Sequence, residues 1–408
     1  MIDYDVIVIG GGASGLMAGY SASLCGASVL IVDKNNKLGR KMYITGKGRC
    51  NVTNDSPVST HIDNIVRGAN FMRSAFSQFN SDDLIELLTH SGLQLKTERG
   101  NRVFPVSDKA SDVIKCFNNL IDLQGVDVQL NAEVSNIKKT EQHFILSINN
   151  STYTTNSVIV ATGGNTYSST GSNGDGYKFA KLFGHNVTRI RPALVPILLK
   201  ENVKNLEGLS LKNVALKYDK ISLQGEMLFT DKGISGPITL TMSSLICQQE
   251  IDGREIGIDF KPALTIEKLL DKFNREFVSK EFSKKSVKNY LKTVLPARFV
   301  EYFVSRITFA EYTAGQTSKE DRIILANLLK NFNFTIDKLD LLDYGIITSG
   351  GVDLKEVNPK TMESKIVPNL FFCGEVLDVD ALTGGFNLQI AFSTGYVAGY
   401  NAGQRREK

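Results

Sequence analysis

Histidine and cysteine are scarce in this 408-residue chain, which has four histidines and five cysteines. The histidines are isolated from one another, and no cysteine pair has the spacing of metal ligands, which argues against a zinc or iron site. The cysteines are also odd in number and widely spaced, which argues against a disulfide framework and predicts reduced thiols in a cytoplasmic protein. They are Cys25, Cys50, Cys116, Cys247 and Cys373.

The chain also lacks a long apolar segment and a strong excess of charge. No apolar run approaches about 18 residues, so we expect no membrane span, and the N-terminal "MIDYDVIVIGGG" carries acids where a signal peptide requires positive charge. Lysine and arginine total 47 against 43 aspartates and glutamates, a net charge of +4. We interpret the lysines between 280 and 292 as the solvated face of a helix, and so small a surplus predicts no nucleic-acid partner.

The order of apolar patterns predicts more than one domain. Residues 4–33 form a strand, a glycine turn, a helix and a second strand, which is one βαβ unit. Helices are predicted at 82–91, beginning at Ser81, and at 108–123. The segments "VDVQL", "EVSNIKK", "HFILSI" and "STYTT" predict an antiparallel meander, and "SVIVATGG" predicts a buried parallel strand.

Farther along, the pattern is strand-like to about residue 258, helical from about 264 to 330, and strand and glycine again from about 340. A closing strand and helix would complete a sheet begun at residue 4. We therefore predict an α/β protein whose FAD- or NAD-binding Rossmann domain is discontinuous, over residues 1–190 and 340–408. A β-rich substrate domain at 191–258 and a small helical domain at 259–339 would be inserted into it.

A dinucleotide fingerprint follows the first strand. Gly10, Gly12 and Gly15 make G-x-G-x-x-G at the start of a helix, where free N–H groups and the helix dipole favour a pyrophosphate. Asp33 ends the second strand 18 residues after Gly15, where a carboxylate accepts ribose hydroxyls and repels a 2′-phosphate. The signature therefore predicts FAD or NAD(H) in preference to NADP(H).

Two later glycine motifs favour FAD. The sequences "VIVATGG" and "FFCGEV" each place a strand end and glycine where the backbone can approach a long dinucleotide. There is no second G-x-G-x-x-G, since "GSNGDG" has the wrong spacing. A separate NAD(P)H domain is therefore not expected.

Several longer motifs resemble one flavoprotein family. They include "GRKMYITGKGRCNVTN" (39–54), "GNRVFPVSDKASDV" (100–113), "LFTDKGISGP" (228–237) and "TMESKIVPNLFFCGEVLDVDALTGGFNLQIAFSTG" (361–395). The chain resembles, nearly from end to end, the aminoacetone oxidase-like and BaiN-type NAD(P)/FAD-dependent oxidoreductases. The resemblance implies a glutathione reductase-like FAD domain interrupted by β-rich and helical domains. Asp231 stands where the family usually has histidine, which puts a shared substrate in doubt.

The resemblance and the fingerprint together give a set of candidate site residues. Residues 45–54 are expected to reach the flavin ring, and N–H groups of Asn387 and Leu388 to point at flavin N1 and O2. Candidates for chemistry are Lys47, Arg49, Asn51 and Asp231, with Arg102 and Tyr43 as further possible bases. Glu375 resembles the acid that contacts the ribityl or phosphate region in related flavoproteins, and Asp378 and Asp380 are weaker candidates. Residues predicted to bind the cofactor are Gly10, Gly12, Ala13, Ser14, Gly15, Asp33, Lys34, Arg40, Lys41, Gly46, Gly48, Cys50, Asn54, Val134, Thr162, Gly163, Gly374, Glu375, Asn387 and Leu388.

These features predict a flavin oxidoreductase that transfers a hydride between a small organic substrate and flavin N5. An amine oxidase that releases peroxide, a reductase of carbon–carbon double bonds and a flavin-binding RNA-associated protein remain alternatives. NADH or NADPH is a candidate transient donor. Cys50 lacks a partner cysteine within a few residues and a nearby histidine, so a redox or nucleophilic thiol is disfavoured.

Overall fold

The computed structural model describes residues 2–405, except the side chain of Asp343. Two compact units are present: Leu194–Asp340 forms the second, and the chain before and after it forms the first. Within the described residues, every helix is too short or too polar to traverse a lipid bilayer.

The strands and helices are numbered along the chain. The strands are β1 Tyr4–Ile9, β2 Val29–Val32, β3 Thr53–Asn54, β4 Ile65–Arg67, β5 Leu95–Glu98, β6 Arg102–Pro105, β7 Asp127–Gln129, β8 Val134–Lys139, β9 Phe144–Ile148, β10 Ser151–Val160, β11 Arg191–Ala193, β12 Ile197–Leu199, β13 Ser210–Tyr218, β14 Ile221–Phe229, β15 Gly233–Ser235, β16 Glu255–Asp259, β17 Phe332–Leu339, β18 Ile347–Ser349, β19 Leu370–Phe372 and β20 Asp380–Ala381. The helices are α1 Ala13–Ser23, α2 Arg40–Ile44, α3 Val58–Asp63, α4 Ala69–Gln78, α5 Ser81–His90, α6 Ala110–Leu123, α7 Asp175–Leu182, α8 Pro237–Ile246, α9 Ile266–Glu276, α10 Val287–Leu291, α11 Ala297–Phe303, α12 Lys319–Lys330 and α13 Phe386–Gly403.

The first unit is built on a seven-stranded sheet. Strands β7, β2, β1, β10 and β19 run parallel, and β8 and β9 add an antiparallel hairpin to the first half of β10. The strands β1 and β2 are buried along most of their length, as continuous Val, Ile and Leu runs require in a sheet covered on both faces. This arrangement confirms the predicted α/β Rossmann class and the closing strand and helix after residue 340.

Three local predictions for the first unit need correction. The segment at 127–129 pairs in parallel with β2 and is not part of the meander. The predicted strands "STYTT" and "SVIV" are one strand, β10, because Thr155 and Asn156 are buried and continue the pairing. Helix α5 begins one residue earlier than predicted: Asn80, not Ser81, caps it by accepting N–H bonds from Asp82 and Asp83.

Helix α13 packs closely along helix α1. Gly395, Gly399 and Gly403 recur every fourth residue, and a Cβ added at each would overlap a carbonyl oxygen of α1: those of Ser14, Ala18 and Ala22. Since residues four apart lie on one helix face, this stripe lets the two backbones touch. The small residues of the C-terminal segment therefore set the distance between the two helices that begin at the fingerprint and at "GGFNLQ".

The second unit combines a closed barrel with helices. Strands β12, β15, β14, β13, β16 and β17 form an antiparallel barrel, and helices α9 to α12 occupy the stretch where a period of 3.6 is visible. Strand β17 lies within residues 259–339, which the sequence analysis assigns to a helical domain. Helix α8 lies within residues 191–258, which it assigns to a β-rich domain, and was not predicted. The sequence of α8, "PITLTMSSLI", has no charged side chain that would mark a solvent-facing stripe, so its helical periodicity is hidden. The three-domain division stays a prediction.

A buried ion cluster joins a helix to this barrel. Asp259 on β16 is buried and accepts from Lys217 on β13 at 2.9 Å and from Lys330 on α12 at 2.7 Å. Lys330 also donates to the carbonyl oxygens of Lys261 and Leu264. Because every charge in the cluster has partners, burial of the carboxylate is tolerated.

Candidate flavin site

The three fingerprint glycines have different structural roles. Gly10 has φ +105°, and a Cβ on Gly15 would overlap the Gly10 carbonyl oxygen, so Gly15 lets helix α1 pack against the turn. Gly12, the N-cap of α1, has an ordinary φ of −81° and would place a Cβ in open space, with nothing within 4 Å. Of the three, Gly12 therefore borders free space at a helix N-terminus, the place expected for a pyrophosphate.

Asp33 closes the turn from the other side. Its carboxylate accepts from the Gly11 N–H at 2.8 Å and from the backbone and side-chain nitrogens of Asn35, both at 2.8 Å. A carboxylate has about four acceptor positions, so one is left for a ribose hydroxyl. Asn35 also accepts from Arg40 at 2.8 Å, and thereby links Arg40 to the predicted ribose site.

Lys34 and Lys41 reach acids far away in the sequence. Lys34 pairs with Asp175 at the start of α7 at 2.7 Å. Lys41 pairs with Glu375 at 2.6 Å and donates to Thr166, while Glu375 also accepts from the Thr348 N–H at 2.8 Å. The structure thus brings together Lys41 and Glu375, which were predicted separately, and adds Thr166 and Thr348, which were not predicted.

The loop after α2 has an unusual backbone. Four residues of this loop have positive φ: Gly46 (58°), Lys47 (59°), Gly48 (85°) and Cys50 (61°). Positive φ is costly for lysine and cysteine, and such strain is often found at functional sites. Lys47 is exposed and, among the described residues, its ammonium group has no hydrogen bond or ion pair.

Arg49 is in a different situation. Its guanidinium group pairs with Glu98 at 2.8 Å and with Asp108 at 3.2 Å, and it lies 4.0 Å from the centre of the Phe104 ring. These contacts raise the pKa of Arg49, chiefly through the hydrogen bond to Glu98. Arg49 therefore anchors the loop to β5 and β6, which leaves Lys47 as its unpaired cation.

The same loop is joined to the first turn of α13. Thr53 donates to Gln389 at 2.6 Å, and Asn54 donates to the Gly384 carbonyl at 2.9 Å. Asn51 Oδ1 is buried without a hydrogen-bond partner and would lie 3.1 Å from a Cβ on Gly385. The two segments predicted to contact the flavin thus lie side by side, and a buried acceptor beside them remains to be satisfied.

The start of α13 offers backbone donors. The first N–H groups of a helix, here including those of Asn387 and Leu388, have no intrahelical partner. The Asn387 side chain is used locally, since it accepts from the Ala381 N–H and donates to the Ala381 carbonyl. It orders the chain between Glu375 and the helix, while the backbone N–H groups remain for a ligand.

The acids between these elements are of two kinds. Asp378 forms a two-bond pair with Arg67, at 2.8 Å for each bond, and is a structural anchor. Asp380 is buried, and burial raises its pKa to about 7, although Ser349 and Arg67 oppose the shift. The sequence did not point to Gln389 or Arg67 because each acts through a partner distant along the chain.

The other predicted site residues are distributed over the first unit, except Asp231, which lies in the second unit. Ala13 and Ser14 begin α1, and a Cβ on Gly374 would contact the Ser14 hydroxyl. Thr162 and Gly163 follow β10, and Thr162 Oγ1 is buried without a hydrogen bond. Val134 begins β8, close to Ala132, whose N–H bonds the Asp33 carbonyl. Asp231 is exposed in the β14–β15 turn of the second unit, and Arg102 bonds the Arg99 carbonyl.

Cys50 is fully buried, and burial raises the pKa of its thiol to about 11. The protonated form is favoured because a thiolate loses its hydration there. We expect iodoacetamide at pH 8 to leave Cys50 unlabelled in the native protein while it modifies the half-buried Cys25, as measured by peptide mass spectrometry. If Cys50 were labelled as fast as Cys25, this prediction would be wrong and the hypothesis of a reactive thiol at Cys50 would be supported.

The sequence of the chain is similar to those of several known proteins, as the following matches show. The model of the HI0933-like protein Rossmann domain matches residues 4–401. The chain belongs to the HI0933-like family. A ribosomal RNA dihydrouridine synthase of Haemophilus influenzae is 30% identical over 397 residues, 96% of each chain. A 3-dehydro-bile acid delta(4,6)-reductase of Clostridium scindens is 29% identical over 408 residues, 98% of each chain.

The fold is also found in a solved structure. A 3-ketosteroid-delta4-(5alpha)-dehydrogenase from Rhodococcus jostii, with 13% identity and a TM-score of 0.52, covers 99% of this chain and 98% of its own. Family membership confirms the predicted resemblance, the Rossmann class, FAD as cofactor and an FAD-dependent oxidoreductase. Three features of the structure are compatible with FAD: the open space at Gly12, the unsatisfied Asn51 Oδ1 and the free N–H groups at the start of α13.

Proposed function

We propose that this HI0933-like protein reduces a carbon–carbon double bond conjugated to a carbonyl group. The observation that carries the proposal is the shared chemistry of two full-length relatives with different substrates. One is named for making dihydrouridine in ribosomal RNA and the other for reducing delta(4,6) bonds of a bile acid. Each named reaction adds hydrogen to a carbon–carbon double bond beside a carbonyl group, so the reaction class is a better guide than either substrate.

The residues of the first unit suit this chemistry. Reduced FAD, when bound, supplies the hydride. The N-terminus of α13 stabilises negative charge, since its free N–H groups and the helix dipole act together. The Lys41–Glu375 pair, with Thr166 and Thr348, provides a fixed polar group for the cofactor's sugar chain.

Lys47 is the residue that we assign to the substrate. Hydride addition to the carbon β to a carbonyl moves an electron pair toward the carbonyl oxygen, and a proton then adds to the α carbon. A cation at that oxygen stabilises the developing charge. Lys47 is exposed, unpaired among the described residues and carried by the loop that adjoins α13, whereas Arg49 is already paired.

An anaerobic half-reaction tests the proposed chemistry. The purified holoprotein is reduced with dithionite and mixed with a 3-keto-4,6-diene steroid or with a 20-nucleotide oligouridylate. We expect the oxidised flavin spectrum to return and the acceptor to gain two hydrogens by mass spectrometry. In a separate aerobic assay, peroxide formed from aminoacetone by the oxidised holoprotein, with no reoxidation by either acceptor in the anaerobic test, would instead favour the amine oxidase. NADH and NADPH are tested as donors in the same apparatus.

Replacement of Lys47 tests the assignment of that residue. We expect Lys47→Met to lower kcat/KM for the conjugated acceptor about 100-fold, the usual effect of removing one oxyanion-stabilising group. Lys47→Arg should recover part of the loss, and Lys109→Met, which removes another exposed lysine, should have no effect. The FAD content and the unfolding temperature are measured alongside, and an unchanged kcat/KM in Lys47→Met would exclude this role.

A further inference from the structure

One buried acid of the first unit has no role in the function proposed above. Asp380 lies on β20, which pairs with β4, and it is only 1% exposed. Among the residues that the structure describes, neither oxygen of its carboxyl group has a hydrogen-bond partner. An ionised carboxyl group in such a place loses its hydration without compensation, so the neutral form is favoured.

The chain beside Asp380 is fixed to the start of α13. The Ala381 N–H donates to Asn387 Oδ1 at 2.9 Å, and Asn387 Nδ2 donates to the Ala381 carbonyl oxygen at 2.7 Å. The backbone N–H groups of Asn387 and Leu388 are those predicted to bind the flavin. Asp380 therefore adjoins the residue that holds the start of α13 in place.

The groups around Asp380 do not compensate for its burial. Burial raises the pKa of Asp380 to about 7, although the Ser349 hydroxyl on β18 and Arg67 on β4 lower it. The charge of Arg67 is shared with Asp378 through two bonds at 2.8 Å. Asp378 and Glu375 raise the pKa of Asp380 further by repulsion, and α13 brings no charged side chain. Small changes in the local charge should therefore decide whether this carboxyl group holds a proton near neutral pH.

Reduction of the cofactor is such a change in charge. A flavin that takes up two electrons and one proton carries one negative charge on its ring. An ionised Asp380 would repel that charge, since like charges interact strongly in a protein interior. Electron uptake by the flavin and proton uptake by the carboxyl group should therefore favour each other, as in any pair of coupled titrations.

We propose that Asp380 binds a proton when bound FAD is reduced and releases it when the FAD is oxidised again. Two electrons from the donor then enter with two protons from water, one bound by the flavin and one by a carboxyl oxygen of Asp380. The net charge of the site does not change. The inference rests on FAD as the cofactor and not on the proposed reduction of a double bond, and its test uses no substrate, so the two are tested separately.

The midpoint potential of the flavin, measured by spectroelectrochemical titration of the holoprotein from pH 5.5 to 9, tests this coupling. One further proton per two electrons makes the potential more negative by about 30 mV per pH unit, since this is the value of a tenfold change for two electrons. We expect the native protein to be steeper than Asp380→Asn by this amount over a window that begins near pH 7. Below the window the carboxyl group is protonated in both redox states, and above it in neither. Asp122→Asn, which removes an exposed carboxylate of α6, should keep the native slope.

Infrared difference spectra of the native holoprotein give a second readout. Reduction at pH 8 should produce the C=O band of a protonated carboxyl group and remove carboxylate bands, and Asp380→Asn should show neither change. If that variant does not bind FAD, isotopic labelling of the aspartate carboxyl groups assigns the band in the native protein. Equal slopes in the native protein and Asp380→Asn, or native spectra without the carboxyl band, would overturn the proposal.

Discussion

Gly12→Asp is expected to abolish FAD binding and to leave the apoprotein at least as stable as the native chain. Gly12 has an allowed φ for any residue, and its Cβ would meet nothing within 4 Å. It is also the N-cap of α1, where aspartate is among the preferred residues and contributes about 1 kcal/mol relative to residues that cannot cap. A carboxylate in that space would occupy and repel the pyrophosphate, so the affinity for FAD should fall by at least about 100-fold, or about 2.7 kcal/mol.

Two measurements and one control decide the result. FAD affinity is measured by quenching of flavin fluorescence, and apoprotein stability by thermal unfolding. Gly12→Asn has nearly the same shape without the charge, so it separates steric blockage from repulsion. If Gly12→Asp retained FAD, the open space at this glycine would not be the pyrophosphate site. If it unfolded the apoprotein, the glycine would be structural, as Gly15 is.

The sequence predicted those features that depend on short-range rules. The strand–glycine–helix order, the burial of β1 and β2 and the strand and helix after residue 340 follow from periodicity and from glycine spacing, and they are observed. The sequence analysis expected residues 45–54 and the helix start at "GGFNLQ" each to contact the flavin, but it did not predict the bonds between them. The hydrogen bonds from Thr53 to Gln389 and from Asn54 to Gly384 are the contacts that join them.

What sequence could not supply are pairings between distant positions. Arg49 and Lys47 look equivalent in "GKGRC", yet one is neutralised by Glu98 and Asp108 and the other is not. Likewise, the pairing of Lys288 with Glu301 at 2.7 Å is not visible in the run of lysines between 280 and 292. Helix α8 was missed for a different reason: burial on most sides removes the polar stripe that reveals a helix.

The stripe of glycines on α13 leads to the second large effect. In a helix interior, glycine to alanine normally stabilises by about 1 kcal/mol. At Gly399 the new Cβ would overlap the Ala18 carbonyl oxygen, and backbone cannot rotate away as a side chain can. We expect Gly399→Ala to destabilise the first unit by about 3 kcal/mol, the upper range for inserting one methyl group into a packed interior. Thermal unfolding of the holoprotein should occur about 10 °C lower.

The consequence should extend to the predicted flavin site, whose proposed donors at the start of α13 lie at the opposite end of that helix from Gly399. Gly12 is the N-cap of α1 and Gly385 is the N-cap of α13. Forcing the two helices apart should therefore move the N–H groups predicted to bind the pyrophosphate relative to those at the start of α13. FAD affinity is therefore expected to fall together with stability, although Gly399 contacts no predicted cofactor residue. Asn401→Ala is the matched control, since Asn401 is a half-buried residue of the same helix whose side chain donates to the Val397 carbonyl. A stable Gly399→Ala with native FAD affinity would show that the helices can separate freely, and that their spacing does not set the geometry of the site.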